Sequence, residues 1–173
     1  MPDESPTPIA TLAAPTRSIT ALSEAQCRAV LERQRLCIMS MVDDLEPYAV
    51  PVYYGFDGHA LYLGVAEGRK TRALDANPQV YVLVTEVGSG DAWRSVAVAG
   101  RARTLTANAE RQHAIDVLIA HNRRVRGDDS SRRAAPTPRS GGRLLRIENV
   151  TLSGRESGWE RDSSGATEST ENV

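Results

Sequence analysis

The sequence predicts a mainly β domain with flanking helices, built on an antiparallel sheet or barrel rather than a doubly wound parallel fold. Three observations predict it. Six apolar runs of strand length follow one another without long helical crossovers. Asp57-Gly58 sits between two of them, after Tyr54 and before Leu61, as a hairpin turn would. The chain has 173 residues, the size of one domain. That is enough to fold around a core without disulfides or structural metals.

Taken in order, residues 1–18 are proline-rich and small, and are expected to form a flexible tail. Ser23 followed by Gln26 resembles a capping box and predicts a helix from Glu24 to about Arg33, with Cys27, Val30 and Leu31 on one face. Strands follow at Leu36–Val42, Tyr48–Tyr54 and Ala60–Ala66. Gly68–Ala76 reads as a short helix stopped by Asn77-Pro78. Val80-Tyr81-Val82-Leu83-Val84 is continuously apolar, as in a strand covered on both faces. Trp93–Leu105 is a long strand, and Ile115, Leu118 and Ile119 mark a helix from about Asn108 to His121. Residues 122–142 read as a basic loop insertion, and Arg143–Leu152 as the last strand. Residues 153–173, with Trp159, are expected to be a second flexible tail, which leaves 19–152 as the folded domain.

Charge is balanced, with 21 basic and 22 acidic residues, so nothing calls for a nucleic-acid or membrane partner. The N-terminus lacks a signal peptide's basic start and apolar stretch, and no apolar run approaches the ~20 residues that span a bilayer. A cytoplasmic location is expected. Cys27 and Cys37 lack metal-ligand spacing and read as buried thiols. His59, His113 and His121 form no cluster with metal spacing, so no metal is predicted. Neither a nucleophile elbow nor a phosphate-cradling glycine loop is present, and no catalytic side chain can be named. If the protein is an enzyme, a bound cofactor supplies the chemistry.

The richest stretch is Glu67-Gly68-Arg69-Lys70-Thr71-Arg72. Three cations fall in the first turn of a predicted helix, where unpaired backbone N–H groups already carry partial positive charge. A phosphate would resolve that crowding, with Gly68 permitting close approach and the Thr71 hydroxyl adding a donor. Of the 21 basic residues a single one is lysine, and it is Lys70. The alternative is that these cations point into water and pair with Glu67 or Asp75. Pro51, within a predicted strand, marks an edge, a bulge or a surface that something else covers. A flat ligand along that strand and an edge protected against aggregation both remain open. The six arginines between Asn122 and Gly142 read as a solvated insertion or as a basic lid over an anion. Without interleaved aromatics they make a poor nucleic-acid patch.

Val50-Pro51-Val52-Tyr53-Tyr54-Gly55-Phe56-Asp57-Gly58, Leu61-Tyr62-Leu63, Gly68-Arg69-Lys70 with Leu74 and Asn77-Pro78, Trp93 through Ala102, and Leu144-Leu145-Arg146-Ile147-Glu148 occur in an order and spacing that resembles the pyridoxamine 5′-phosphate oxidase-like superfamily. The most similar branch is the small flavin-nucleotide-binding proteins akin to nitroimidazole reductases. The resemblance covers about residues 20–152 and implies a split β-barrel, a homodimer, and two FMN molecules at the interface. It implies that Arg69 and Lys70 hold the FMN phosphate. Val50, Pro51 and Val52 would pass the isoalloxazine ring, with Tyr54 nearby and Leu63 and Gly64 on the neighbouring strand. Ser95, with Trp93, would reach the flavin across the dimer interface.

The departures narrow the activity. The oxidases proper carry a basic residue where Ala49 stands, another near Tyr54 and a glutamine near Ser95, and their C-terminal substrate-phosphate motif is absent here. The nitroimidazole reductases tend to carry a histidine where this chain has Gly64. The leading expectation is an FMN-dependent oxidoreductase of unknown substrate. The alternatives are use of the deazaflavin F420 on the same barrel, with the arginine-rich loop meeting its acidic tail, and a non-catalytic flavin- or haem-binding module. No histidine is evidently placed as an axial haem ligand.

Overall fold

The computed structural model describes residues 18–127 and 142–158. Seven strands and three helices follow in the order β1 (Ile19–Ala21), α1 (Glu24–Arg33), β2 (Leu36–Asp43), β3 (Glu46–Phe56), β4 (Leu61–Val65), α2 (Arg69–Ala76), β5 (Gln79–Val87), β6 (Trp93–Thr104), α3 (Asn108–Arg126) and β7 (Arg143–Ser157). The strands form one antiparallel sheet in the order β1-β7-β4-β3-β2-β5-β6, and β6 pairs back onto β7. Six strands therefore close a barrel, and β1 lies against the far half of β7. Closure removes the unpaired edges that an open sheet would expose.

The elements form where the sequence places them because local chemistry and packing agree. Ser23 Oγ accepts the Gln26 N–H at 3.3 Å, and Gln26 Oε1 accepts the Ser23 N–H at 2.8 Å, which fixes the start of α1. Cys27, Val30 and Leu31 of α1 join Met39, Met41, Val52, Phe56, Val82 and Val98 in the barrel interior. Burial pushes the Cys37 thiol up to about 12, so it stays a neutral core group. At the β3–β4 turn Asp57 Oδ1 accepts the N–H groups of His59 and Ala60 at 2.8 and 2.7 Å, and Gly58 takes φ +93°. Helix α3 lies on the outside, where Ala114 and Leu118 cover Ala60, Tyr62 and Leu144. Gly55 lets it approach: a Cβ there would stand 2.9 Å from the Leu118 backbone.

Four expectations need correction. Strand β1 was not foreseen, since three residues carry no readable period, and it exists through its pairing with Arg155–Ser157. Strand β7 continues five residues past Leu152, so Ser153–Ser157 belongs to the barrel rather than to a tail. Its polar composition hid a segment paired on both sides, by β1 and β6. Helix α3 runs to Arg126, so Asn122–Arg126 is helical rather than loop. Asn122 is buried, donating to the carbonyls of Tyr54 and Leu118 at 3.0 and 2.9 Å. Finally, β5 is not covered on both faces. Val80, Val82 and Val84 face the core, but Tyr81 is 50% exposed. A continuous apolar run does not reveal whether its second face meets the chain's own core. Residues 1–17, residues 128–141 with Arg132, Arg133 and Arg139, and residues 159–173 with Trp159 lie outside the described residues, and with them most of the expected basic loop.

His121 joins α3 to the α1–β2 connection. Its Nε2 lies 2.7 Å from the Gln34 carbonyl, so Nε2 carries the proton, and Nδ1 accepts from Arg124 at 3.2 Å. Its ring lies 5.2 Å from that of Tyr54. Burial, with Arg124 nearby, holds the imidazole below its ordinary 6.5, against the pull of the Gln34 carbonyl.

Two predictions follow from this packing. Gly55→Ala should destabilise the fold by about 1–3 kcal/mol through overpacking against α3, read as a lowered urea midpoint at unchanged slope. His121 is depressed in the folded state, so below pH 6.5 the unfolded chain binds the extra proton first. Its contribution should be full above that value and fade as pH falls through the folded-state value. Urea titrations of the parent and His121→Gln from pH 7.5 to about 5 test this: the variant should show the shallower loss, and parallel curves would refute the assignment.

Candidate functional site

Strands β3 and β4 pair only at Tyr54–Leu63, Gly55–Tyr62 and Phe56–Leu61. Before Tyr54, β3 keeps its ladder with β2 along its whole length, from Leu36–Tyr53 to Asp43–Glu46. Its other edge has no strand beside it among the described residues. The Tyr54 N–H donates to the Arg35 carbonyl at 3.0 Å, on the β2 side. Backbone groups alternate along a strand, so Tyr53, Pro51 and Ala49 direct theirs to the uncovered edge. Pro51, which has no N–H, thus falls where no ladder bond is lost.

Strand β4 ends at Val65, and the chain bends through Gly68 into α2. The first bond of α2 is Arg72 N–H to the Gly68 carbonyl at 3.2 Å, so the N–H groups of Arg69, Lys70 and Thr71 precede any helical partner. Thr71 Oγ1 accepts the Gly68 N–H at 3.0 Å and lies 2.9 Å from both Glu67 Oε2 and the Gly68 carbonyl.

The cations of this turn divide into two kinds. Arg69 Nε donates to Asp43 at 2.5 Å, Nη2 reaches Glu46 at 3.4 Å, and the guanidinium lies 4.4 Å above the Tyr48 ring. It ties α2 to the tip of the β2–β3 hairpin. Glu67 and Asp75 are both engaged by Arg143 of β7, at 2.6 and 2.5 Å, which holds their carboxyls below the usual range. They do not neutralise the α2 cations. Among the described residues, the side chains of Lys70 and Arg72 form no ion pair or hydrogen bond.

The structure brings together part of the expected site. Val50, Pro51, Gly64, Arg69 and Lys70 border the gap between β3 and the β4–α2 bend, with Pro51 exposed and Val50, Gly64 and Lys70 half-buried. Val52, Tyr54 and Leu63 do not offer side chains to it. All three are buried in the barrel core, and the Tyr54 hydroxyl donates to the Leu31 carbonyl at 2.8 Å. The alternation that exposes Pro51 turns them inward. The Thr71 hydroxyl is spent within its own turn and is not the free donor expected. Trp93 and Ser95 are half-buried on β6. In register, Ser95 stands three strands from β3, roughly 14 Å at ordinary strand spacing, so within one chain it lies away from the Pro51 edge.

Asp43, Glu46, Tyr48 and Arg143 escaped the sequence reading. Asp43 is 26 positions from Arg69 and Arg143 is 76 from Glu67, so no local spacing could have signalled either pair. The outer sheet face between β3 and β6 presents a bare apolar surface in which Leu36, Ile38, Tyr53 and Tyr81 are 48, 39, 37 and 50% exposed. No helix is long and apolar enough to cross a membrane, and no cluster of three His, Cys, Asp or Glu side chains is placed to hold a metal, among the described residues.

Residues 23–156 match the family described as pyridoxamine 5′-phosphate oxidase, and the chain belongs to it. An uncharacterised protein of Rhizobium meliloti is 32% identical over 104 residues, 58% of this chain and 69% of that protein. A crystal structure of an FAD-binding protein from Mesorhizobium loti is similar at 30% identity and a TM-score of 0.63, over 83% of this chain and 99% of that one. The structure of a putative 5-nitroimidazole antibiotic resistance protein from Bacteroides thetaiotaomicron shares the fold at 18% identity and a TM-score of 0.59, over 81% and 90% of the two chains.

Arg69 is predicted to act as a structural tie more than as a ligand of its own. Arg69→Ala should leave global stability nearly unchanged, since exposed ion pairs contribute little. It should also speed amide exchange at the Asp43–Tyr48 hairpin tip, measured by hydrogen–deuterium exchange. Unchanged exchange at the tip would remove the tie from the account.

Proposed function

We propose that this member of the pyridoxamine 5′-phosphate oxidase family binds a flavin nucleotide, FMN, in the gap between β3 and the β4–α2 bend, and acts as an oxidoreductase on a small molecule. One observation carries the reading: among the described residues, a strand edge without a neighbour lies beside a helical turn without a side-chain cap, whose Lys70 and Arg72 side chains have no partner. Three free N–H groups and unpaired cations fit a phosphate. The open backbone groups of Ala49, Pro51 and Tyr53 fit the hydrogen-bonding rim of a planar heterocycle. The similarity to a protein described as FAD-binding supports a flavin, and FAD carries the same phosphate and ring as FMN.

A bound flavin would supply hydride or electron transfer. The chain's own residues do the positioning. Lys70 and the first turn of α2 hold the phosphate. Pro51 presents a flat, donor-free surface on the strand edge. Arg69, held by Asp43 and Glu46 and lying over Tyr48, fixes the wall of the gap, and Arg143 anchors the bend through Glu67 and Asp75. No side chain at the gap is identified as a proton donor.

The working form is a homodimer. The bare apolar face between β3 and β6 suits a second copy, which would bring its own Ser95 and Trp93 towards the gap. Pairing two such faces would cover Tyr81 and the other exposed apolar side chains.

The absorbance spectrum of protein purified without added cofactor tests the reading, with mass analysis of what is released to separate FMN from FAD. A flavin spectrum is expected. Lys70→Ala should weaken FMN binding by about 1–3 kcal/mol, the scale of a lost charge-assisted hydrogen bond. A colourless protein that takes up neither FMN nor FAD would overturn the proposal, as would a Lys70→Ala variant that folds and binds with unchanged affinity.

A further inference from the structure

A second concave site lies under the opening of α3. It is a cavity of about 270 Å³ lined by Tyr62 of β4, Leu105 after β6, Ala109, Glu110 and His113 of α3, and Arg146 of β7. That volume lies just below the roughly 300–1,000 Å³ usual for drug-sized ligands, so it suits a single-ring molecule. Its floor is apolar, made by Leu105, Ala109 and the Tyr62 ring, and His113 meets that ring edge-on with centroids 5.4 Å apart.

The charges around the cavity can be accounted for one at a time. Glu110 accepts two hydrogen bonds from Arg103, at 2.7 and 3.2 Å, and Glu148 accepts a third from Arg103 Nε at 2.7 Å. Asp57 Oδ1 takes two backbone N–H groups, and Asp57 Oδ2 takes the Tyr62 hydroxyl at 3.1 Å with His113 Nε2 3.7 Å away. Burial pushes the Asp57 carboxyl up, but the N–H groups of Ala60 and His59 and the Tyr62 hydroxyl outweigh it and hold the group below its ordinary range. Every carboxylate near the cavity is thus satisfied by a partner of its own. Arg146 is held more loosely. Among the described residues its one ion pair is to Glu148, 3.8 Å from Nη1 and beyond hydrogen-bond reach, and Arg103 binds that same carboxylate; its side chain is 40% exposed and its Nε has no hydrogen-bond partner. A guanidinium held only by a long, shared ion pair keeps Nη N–H groups for a further acceptor.

We infer that this cavity binds a small planar molecule with an apolar ring and an anionic oxygen acceptor, of the aromatic carboxylate class. The ring would lie on Leu105, Ala109 and Tyr62, in reach of His113, and the carboxylate would accept from Arg146. Ala109 and Glu110 stand in the first turn of α3, whose N-cap Ala107 makes no side-chain cap, so backbone N–H groups there add to the positive field. The site takes no residue from the gap between β3 and α2 and does not depend on the flavin reading.

Benzoate is the probe. Titrated into the full-length protein, with and without saturating FMN, it should give saturable NMR shifts of the Tyr62 and His113 ring signals, alike in both. Arg146→Gln should weaken binding by about tenfold or more, as loss of a charged hydrogen bond does. Ala109→Leu fills the cavity at a helix-tolerant position without touching the charge network, and should abolish the shifts. Benzyl alcohol, which keeps the ring and loses the charge, should bind about tenfold more weakly. The absence of shifts up to roughly 10 mM benzoate, a very weak Kd, would overturn the assignment. So would shifts that survive both variants, or displacement of benzoate by FMN.

Discussion

The parting of β3 from β4 after three residue pairs is the constraint on which the rest of this molecule depends. Had the ladder continued, Tyr53, Pro51 and Ala49 would face a strand and the barrel would be seamless. Instead β4 stops at Val65, and the chain turns into a helix whose Ala73 and Leu74 are buried in the core. That packing draws the bend away from β3. Arg143 secures it by holding Glu67 at the start of α2 and Asp75 near its end. The gap is therefore built by packing and ion pairing on both its walls.

Around that gap the barrel is over-determined. Strand β7 serves three neighbours, pairing with β4 through Ile147, with β1 at its far end and with β6 along most of its length. It manages this with Asn149 at φ 52° and a register shift opposite Ala99 and Arg101. A bulge of this kind bends a strand and raises its twist, which closing a small barrel requires. Where β1 pairs with β7, Arg94 binds Glu156 at 2.8 Å, and Arg33 binds Glu86, the β5 partner of Arg94, through two 2.9 Å contacts. A rigid frame with one deliberate opening places a ligand precisely where loops alone would not.

The two concave regions differ in how their charges are spent. At the β3–α2 gap Arg69 is consumed by the hairpin, while Lys70 and Arg72 stay uncommitted. Under α3, Arg103 is consumed by Glu110 and Glu148, while Arg146 has only a 3.8 Å pair to the Glu148 carboxylate that Arg103 already binds. In both cases the informative cation is the one least engaged by the chain's own carboxylates.

The sequence alone determined what depends on neighbours along the chain. The Ser23–Gln26 capping box, the Asp57-Gly58 turn, the extent of α2 and six of seven strands are local matters of hydrogen bonding and side-chain period, and were legible in order. So was the crowding of Arg69, Lys70 and Arg72 at one helix start. Only the tertiary structure decided which of those cations is free, because Asp43 and Arg143 reach the site from distant strands. It also decided that Val52, Tyr54 and Leu63 belong to the core, since strand alternation assigns a side to each residue only when the register is fixed. The short β1 and the end of β7 required partners far away in sequence, and polar or three-residue strands carry no signal of their own. What local chemistry governs can be read from the chain, and what long-range pairing governs had to be seen folded.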